Sequence, residues 1–118
     1  MDRRIFALRK QMLSNLQHQP SVEEMAEKVE VTTSYLQRLF KAETGMSPIN
    51  YLRDLRLEKA RELLGNTFLR IQQICYEVGI KDQSHFDKYF KEKFGVSPSE
   101  YRRQHQEKLE AEEADANK

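Results

Sequence analysis

A stretch of twenty residues occurs twice in this chain, fifty residues apart and without a gap. Ser34 to Arg53 reads SYLQRLFKAETGMSPINYLR, and Ser84 to Arg103 reads SHFDKYFKEKFGVSPSEYRR. Eight of the twenty positions are identical: Ser34 and Ser84, Phe40 and Phe90, Lys41 and Lys91, Gly45 and Gly95, Ser47 and Ser97, Pro48 and Pro98, Tyr51 and Tyr101, Arg53 and Arg103. Most other pairs keep their character, as Leu36 with Phe86, Arg38 with Lys88, Leu39 with Tyr89 and Met46 with Val96. Two copies are too few for a solenoid, so the match restricts the chain to a duplicated module.

Each copy reads as helix. The chain has only four Gly and three Pro, and Leu, Lys, Glu, Gln and Arg outnumber the β-branched residues. That composition favours helix nearly everywhere. The expected architecture is all-α, with seven helices in two helix-turn-helix subdomains joined by a long central helix. Residues 3–18 place Ile5, Leu8, Met12 and Leu16 on one stripe, with Asp2 as N-cap. Ser21 and Glu24 form a capping box before a short helix that buries Val22, Met25, Ala26 and Val29. Thr32 or Thr33 caps a third helix, which ends at Gly45. Ser47-Pro48 opens a fourth over about residues 48–64. The pattern then restarts, with Ile71, Ile74, Cys75 and Val78 at the spacing of Val22, Met25, Ala26 and Val29, offset by 49. Asp82 caps a sixth helix, Gly95 ends it, and Ser97-Pro98 opens a seventh. Residues 1–106 make the folded part, in two halves at 3–53 and 54–106. Residues 107–118 lose the apolar stripe and are expected to be a frayed helix or a disordered acidic tail.

Within each copy, a short helix, a tight turn and a second helix follow the helix-turn-helix plan. The second helix of such a unit lies in the major groove of double-stranded DNA and offers its N-terminal residues to base edges. The first copy presents Ser34, Tyr35, Gln37, Arg38 and Lys41 away from its core positions, and the second presents Gln83, Ser84, His85, Asp87, Lys88 and Lys91. Gln37 suits adenine and Arg38 suits guanine, each by a bidentate pair. Gln83 and Ser84 stand at the start of the second helix, where groove contact is closest, and Lys88 one turn further on, so these three join Gln37 and Arg38 as candidate base readers. Phosphate contacts are expected from Tyr35, Lys41, Lys81, Lys91, Arg53 and Arg103. Taken singly, Arg38 and Lys88 would read as ordinary solvated charges. Their recurrence at one helical position in both copies argues otherwise. Asp87 either accepts from a cytosine amino group or pairs with a neighbouring lysine, and His85 is a groove contact or a solvated helix residue.

Charge supports a polyanion partner without demanding one. Residues 1–103 carry 18 Lys and Arg against 14 Asp and Glu, or +4; residues 104–118 carry 2 against 5, or −3. The acidic tail is placed to shield the basic face. No enzyme motif, cofactor site or paired Cys–His spacing for a metal occurs, and His18, His85 and His105 stand far apart. Cys75 is the sole cysteine and reads as a buried apolar residue. No apolar run approaches a membrane span, and a cytoplasmic location is expected. The alternative function is a helical protein-interaction module without sequence-specific DNA binding.

The segment Ile71 to Phe86, continuing through Phe90-Lys91 and Phe94 to Arg102, closely resembles the signature of the AraC/XylS family DNA-binding domain. Tyr35 to Lys41, through Gly45, resembles that family's first recognition helix. The resemblance covers about residues 4–105. It implies a bacterial transcription regulator, more often an activator, in which the positions of Ser34, Gln37 and Arg38 read one major-groove segment and those of Gln83, Ser84, His85 and Lys88 the next. It also implies promoter DNA and RNA polymerase as partners, and a sensor domain elsewhere in a longer regulator. Two residues depart from the family pattern. Glu30 stands in the first turn where Gly or Asn is usual, and Arg70 replaces the usual Ser or Thr before the fifth helix.

Overall fold

Helix ends fix this architecture. The computed structural model describes residues 1–116, and seven helices lie among them: α1 (Arg3–Ser14), α2 (Val22–Lys28), α3 (Thr33–Thr44), α4 (Pro48–Asn66), α5 (Ile71–Val78), α6 (Gln83–Phe94) and α7 (Pro98–Ala116). Asp2, Ser21, Thr32 and Asp82 each accept a backbone N–H of the first turn of their helix. Ser47 and Ser97 do the same ahead of the Pro48 and Pro98 helix starts, accepting from the Asn50 and Glu100 N–H at 3.2 Å each. Gly45 and Gly95 close α3 and α6 in the left-handed conformation, at φ 78° and 82°.

Three boundaries differ from the sequence reading, the least of them at α4, which runs two residues past 64 to Asn66. α1 stops at Ser14 instead of continuing to residue 18. Asn15 leaves the helical region, and the Gln19 side chain folds back to donate to the Met12 carbonyl at 3.0 Å and to the Asn15 carbonyl. These side-chain bonds satisfy carbonyls that a further helical turn would have used. Leu16 stays buried although it is no longer helical. At the other end, α7 continues as helix through Ala116 with exposed side chains where these are described. Of the two readings of the tail, it is helical over 107–116; positions 117–118 lie outside the described residues.

The chain divides into two compact units between Arg56 and Leu57, within α4. The first unit packs Ile5, Leu8 and Met12 of α1, Met25 and Ala26 of α2, Leu36 and Phe40 of α3, and Leu52 of α4 into one core. The second packs Leu57, Ala60 and Leu64 of α4, Ile74, Cys75 and Val78 of α5, and Phe86 and Phe90 of α6. The duplication is visible in these cores. From Ser34 to Asn50 and from Ser84 to Glu100, corresponding positions fall in the same class of exposure throughout. An edge-on aromatic pair recurs as well, Phe40 with Tyr51 at 5.7 Å and Phe90 with Tyr101 at 5.9 Å.

Both turns are Schellman motifs. In the first, the Val31 N–H donates to the Ala26 carbonyl at 3.0 Å and the Glu30 N–H to the Glu27 carbonyl at 3.1 Å. In the second, Ile80 donates to Cys75 at 3.0 Å and Gly79 to Tyr76 at 3.2 Å. The motif needs a left-handed residue at its centre. Gly79 supplies it at φ 85°, whereas Glu30 is forced to φ 59° with a side chain attached.

Candidate nucleic-acid interface

α3 and α6 are each twelve residues long and held at both ends by the caps above. Their buried stripes, Leu36 with Phe40 and Phe86 with Phe90, fix which residues point away from the core. Ser34, Gln37, Arg38 and Lys41 follow one another at i, i+3, i+4, i+7 and are all exposed. They share an open cleft of about 560 Å³ with Ser47 and the first half of α4, which contributes Asn50, Arg53 and Asp54. Five sequence-predicted residues, three base readers and the phosphate candidates Lys41 and Arg53, thus line one concave face. Asn50 and Asp54 line it too and escaped the sequence reading. Their spacing to Arg53 on α4, three back and one on, was the signal available.

Tyr35 stands beside that face. Its ring lies 5.3 Å from the Arg4 guanidinium and 6.0 Å from that of Arg38, and its hydroxyl accepts from Arg4 at 3.4 Å. Arg4 is itself anchored by Asp2, 3.1 Å away. The bond to Asp2 raises the pKa of Arg4, and the bond from Arg4 lowers that of Asp2. α1 therefore holds Tyr35, and through it steadies the start of α3.

In the second unit Gln83, Ser84, His85, Lys88 and Lys91 are exposed on α6, and Lys81 is exposed just before its cap. Ser84, Lys88 and Lys91 keep the spacing of Ser34, Arg38 and Lys41. His85 leans toward its own helix start. Its backbone N–H donates to Asp82 at 3.0 Å, its Nδ1 lies 3.9 Å from the same carboxylate, and its ring is 6.1 Å from Tyr89. The backbone bond from His85 lowers the Asp82 pKa. No ion pair joins Asp87 to a neighbouring lysine among the described residues, and desolvation raises its pKa. Arg103, the counterpart of Arg53, is exposed.

Arg102 has another role. Its guanidinium donates to the carbonyls of Leu64, Leu69 and Thr67 at 3.2, 2.6 and 3.3 Å, tying α7 to the end of α4 and the connection after it. Arg56 makes a similar tie in the first unit, donating to the Leu16 carbonyl at 3.0 Å. Lys93 is engaged by Glu58 at 3.8 Å and lies 5.6 Å from the Phe94 ring. Among the described residues, no group of three or more His, Cys, Asp or Glu is placed to hold a metal, and no helix is long and apolar enough to cross a membrane.

The family model described as "Helix-turn-helix domain" matches residues 25–104. The lactose operon transcription activator of Staphylococcus xylosus is 42% identical over 89 residues, covering 75% of this chain and 32% of that protein. The structure of an AraC-type transcriptional regulator from Chromobacterium violaceum superimposes with a TM-score of 0.81 at 32% identity, over 86% of this chain and 91% of that one. The chain belongs to the AraC/XylS family of helix-turn-helix transcription regulators. A further similar structure is the C-terminal domain of AraT, a response regulator from Geobacillus stearothermophilus, with a TM-score of 0.79 and 36% identity over 87% of this chain and 86% of that one. The all-α expectation and the two helix-turn-helix units hold for this AraC/XylS chain. The family assignment sets aside the alternative of an interaction module that binds no specific DNA sequence. The chain spans about a third or less of the length of the curated relatives it matches.

Proposed function

We propose that this chain is the promoter-reading part of a bacterial transcription activator, inserting α3 and α6 into two successive major-groove segments. The observation that carries this reading is the exposed face of α3. Ser34, Gln37 and Arg38 share its cleft with Lys41 and Arg53, and these side-chain types suit base edges and phosphates respectively. The second copy repeats the arrangement with Gln83, Ser84, His85 and Lys88 toward bases and Lys81, Lys91 and Arg103 toward the backbone. Tyr35, clamped by Arg4, adds a phosphate contact at the edge of the first face. Because the two copies carry different readers, the site is bipartite and asymmetric, about 20 base pairs long with centres about 34 Å apart. Promoter DNA, RNA polymerase and a sensor domain are the partners that fit this reading, with the cytoplasm as its location.

Selection of bound sites from random duplex DNA, at a stated salt concentration, tests it. Two unlike half-motifs about one helical turn apart are expected. Arg38→Ala is expected to lose about 1–3 kcal/mol on the selected site and to relax preference at one base pair of one half-motif. A selection that enriches nothing, or a motif untouched by Arg38→Ala, would overturn the assignment of α3 as a base-reading helix.

A further inference from the structure

The second unit carries a surface that lies outside the residues proposed to read DNA. The C-terminal end of α4 and the residues after it face one side of α7 across a cleft of about 310 Å³. Buried Leu64 contributes to its lining, Phe68 stands at it with 94% of its surface exposed, and Gln106, Glu110 and Glu113 of α7 line it at i, i+4, i+7. Nothing in the local fold requires an aromatic at position 68. In the first unit the connection after α1 carries Gln19, whose side chain satisfies the carbonyls ending α1. In the second unit Arg102 does that work from α7. Position 68 is thereby released from capping, yet it holds the most exposed large apolar side chain among the described residues.

The helical wall opposite is equally unexplained by folding. Beyond His105 the described side chains of α7 are exposed, and from 107 to 116 they include Glu107, Glu110, Glu112, Glu113 and Asp115 against Lys108 alone. That charge repels a phosphate backbone and attracts cations. We infer that the cleft between Phe68 and the Glu110–Glu113 face of α7 docks a cationic segment of a partner protein, an arginine or lysine beside an aliphatic residue. The aliphatic group would cover Phe68 and Leu64 while the cation meets the glutamates.

The probe is a short fluorescein-labelled peptide of alternating Arg and Leu, compared with peptides in which Leu is replaced by Ser or Arg by Glu. Binding is followed by anisotropy near 0.15 M salt and mapped by amide chemical shifts on the whole chain. The Arg-Leu peptide alone is expected to bind, with shifts confined to residues 64–68 and 106–113. Phe68→Ala and the pair Glu110→Gln with Glu113→Gln are each expected to weaken it at least tenfold. Both variants are on the surface, so an unchanged urea midpoint and unchanged affinity for the selected DNA site separate this result from misfolding. Equal binding of the Arg-Ser peptide would reduce the effect to bulk charge and overturn the proposal. So would shifts elsewhere, indifference to both variants, or self-association of the chain that depends on Phe68, which would make a second copy the occupant.

Discussion

Glu30 and Gly79 occupy the same place in two turns of the same design, and only glycine suits the conformation. A left-handed backbone brings Cβ close to the following carbonyl oxygen, which costs roughly 1–2 kcal/mol for an L-residue. Glu30→Gly is therefore expected to raise stability by about 1 kcal/mol, and Gly79→Ala to lower it by a similar amount, both read from the urea midpoint at constant m-value. The strain at Glu30 was legible through the family resemblance, because Gly or Asn is usual at that place in the turn. The clamp on Tyr35 was not, because Arg4 lies 31 residues earlier and only the packing of α1 brings it close. Cys75 matches its reading as a core residue. It is 1% exposed, and burial, reinforced by the nearby Asp87 carboxylate, raises its thiol pKa from 9.0 to about 11. It should resist alkylation by iodoacetamide at neutral pH until the chain is unfolded. The unfolded thiol ionises first, so the stability Cys75 contributes is fully present below pH 9 and is lost as pH rises through about 11. Comparing the alkaline limb of stability in the wild type and in Cys75→Ala isolates that loss; parallel limbs would count against it.

Caps decide the elements, and their chemistry is local, which is why most helix boundaries could be read from the chain. Asp2, Ser21, Thr32, Ser47, Asp82 and Ser97 all cap the helices they were expected to cap. The start of α5, where Arg70 replaces the usual Ser or Thr, is the exception. Arg70 makes no side-chain cap bond, and only the Gln73 side chain accepts its backbone N–H, at 2.9 Å. What the sequence hid are caps supplied from far away. Arg102 reaches back 38 residues to the Leu64 carbonyl, and no periodicity marks it as different from Arg103 beside it. The two should separate by experiment. Arg102→Ala leaves three carbonyls without their donor and is expected to cost about 2–3 kcal/mol of stability, with Arg102→Lys recovering little because the planar fork is lost. Arg103→Ala should leave stability within about 0.5 kcal/mol and weaken DNA binding alike on every sequence. A loss of stability on Arg103→Ala equal to that on Arg102→Ala would mean the two roles had been wrongly divided.

At the scale of the whole chain, charge is distributed against the direction that tight DNA binding alone would favour. The net charge is +1, yet residues 107–118 hold two lysines against five carboxylates, so their removal would leave +4. The sequence reading treated this segment as a shield for the basic face. Its helical form through Ala116 restricts how it can act, since a continuous helix cannot fold back over the domain as a loose tail would. An effect on DNA through the field, without contact, is therefore the expectation. That distinction is measurable, because a field is screened over a Debye length of about 30 Å at 0.01 M salt and about 8 Å at 0.15 M. Deleting residues 107–118 is expected to strengthen non-specific duplex binding several-fold at the lower salt and to leave it nearly unchanged at the higher. The salt slope on a selected site should stay close to that of the full chain, because Lys41, Lys91, Arg53 and Arg103, the proposed phosphate ligands, are all retained. Lys91→Ala, by contrast, should reduce that slope by about one. If the deletion instead changed the slope at a selected site, the acidic segment would have to be displaced from a phosphate-binding face on complex formation. Its helix would then have to break, which an amide-exchange comparison of free and bound chains over residues 104–116 would reveal.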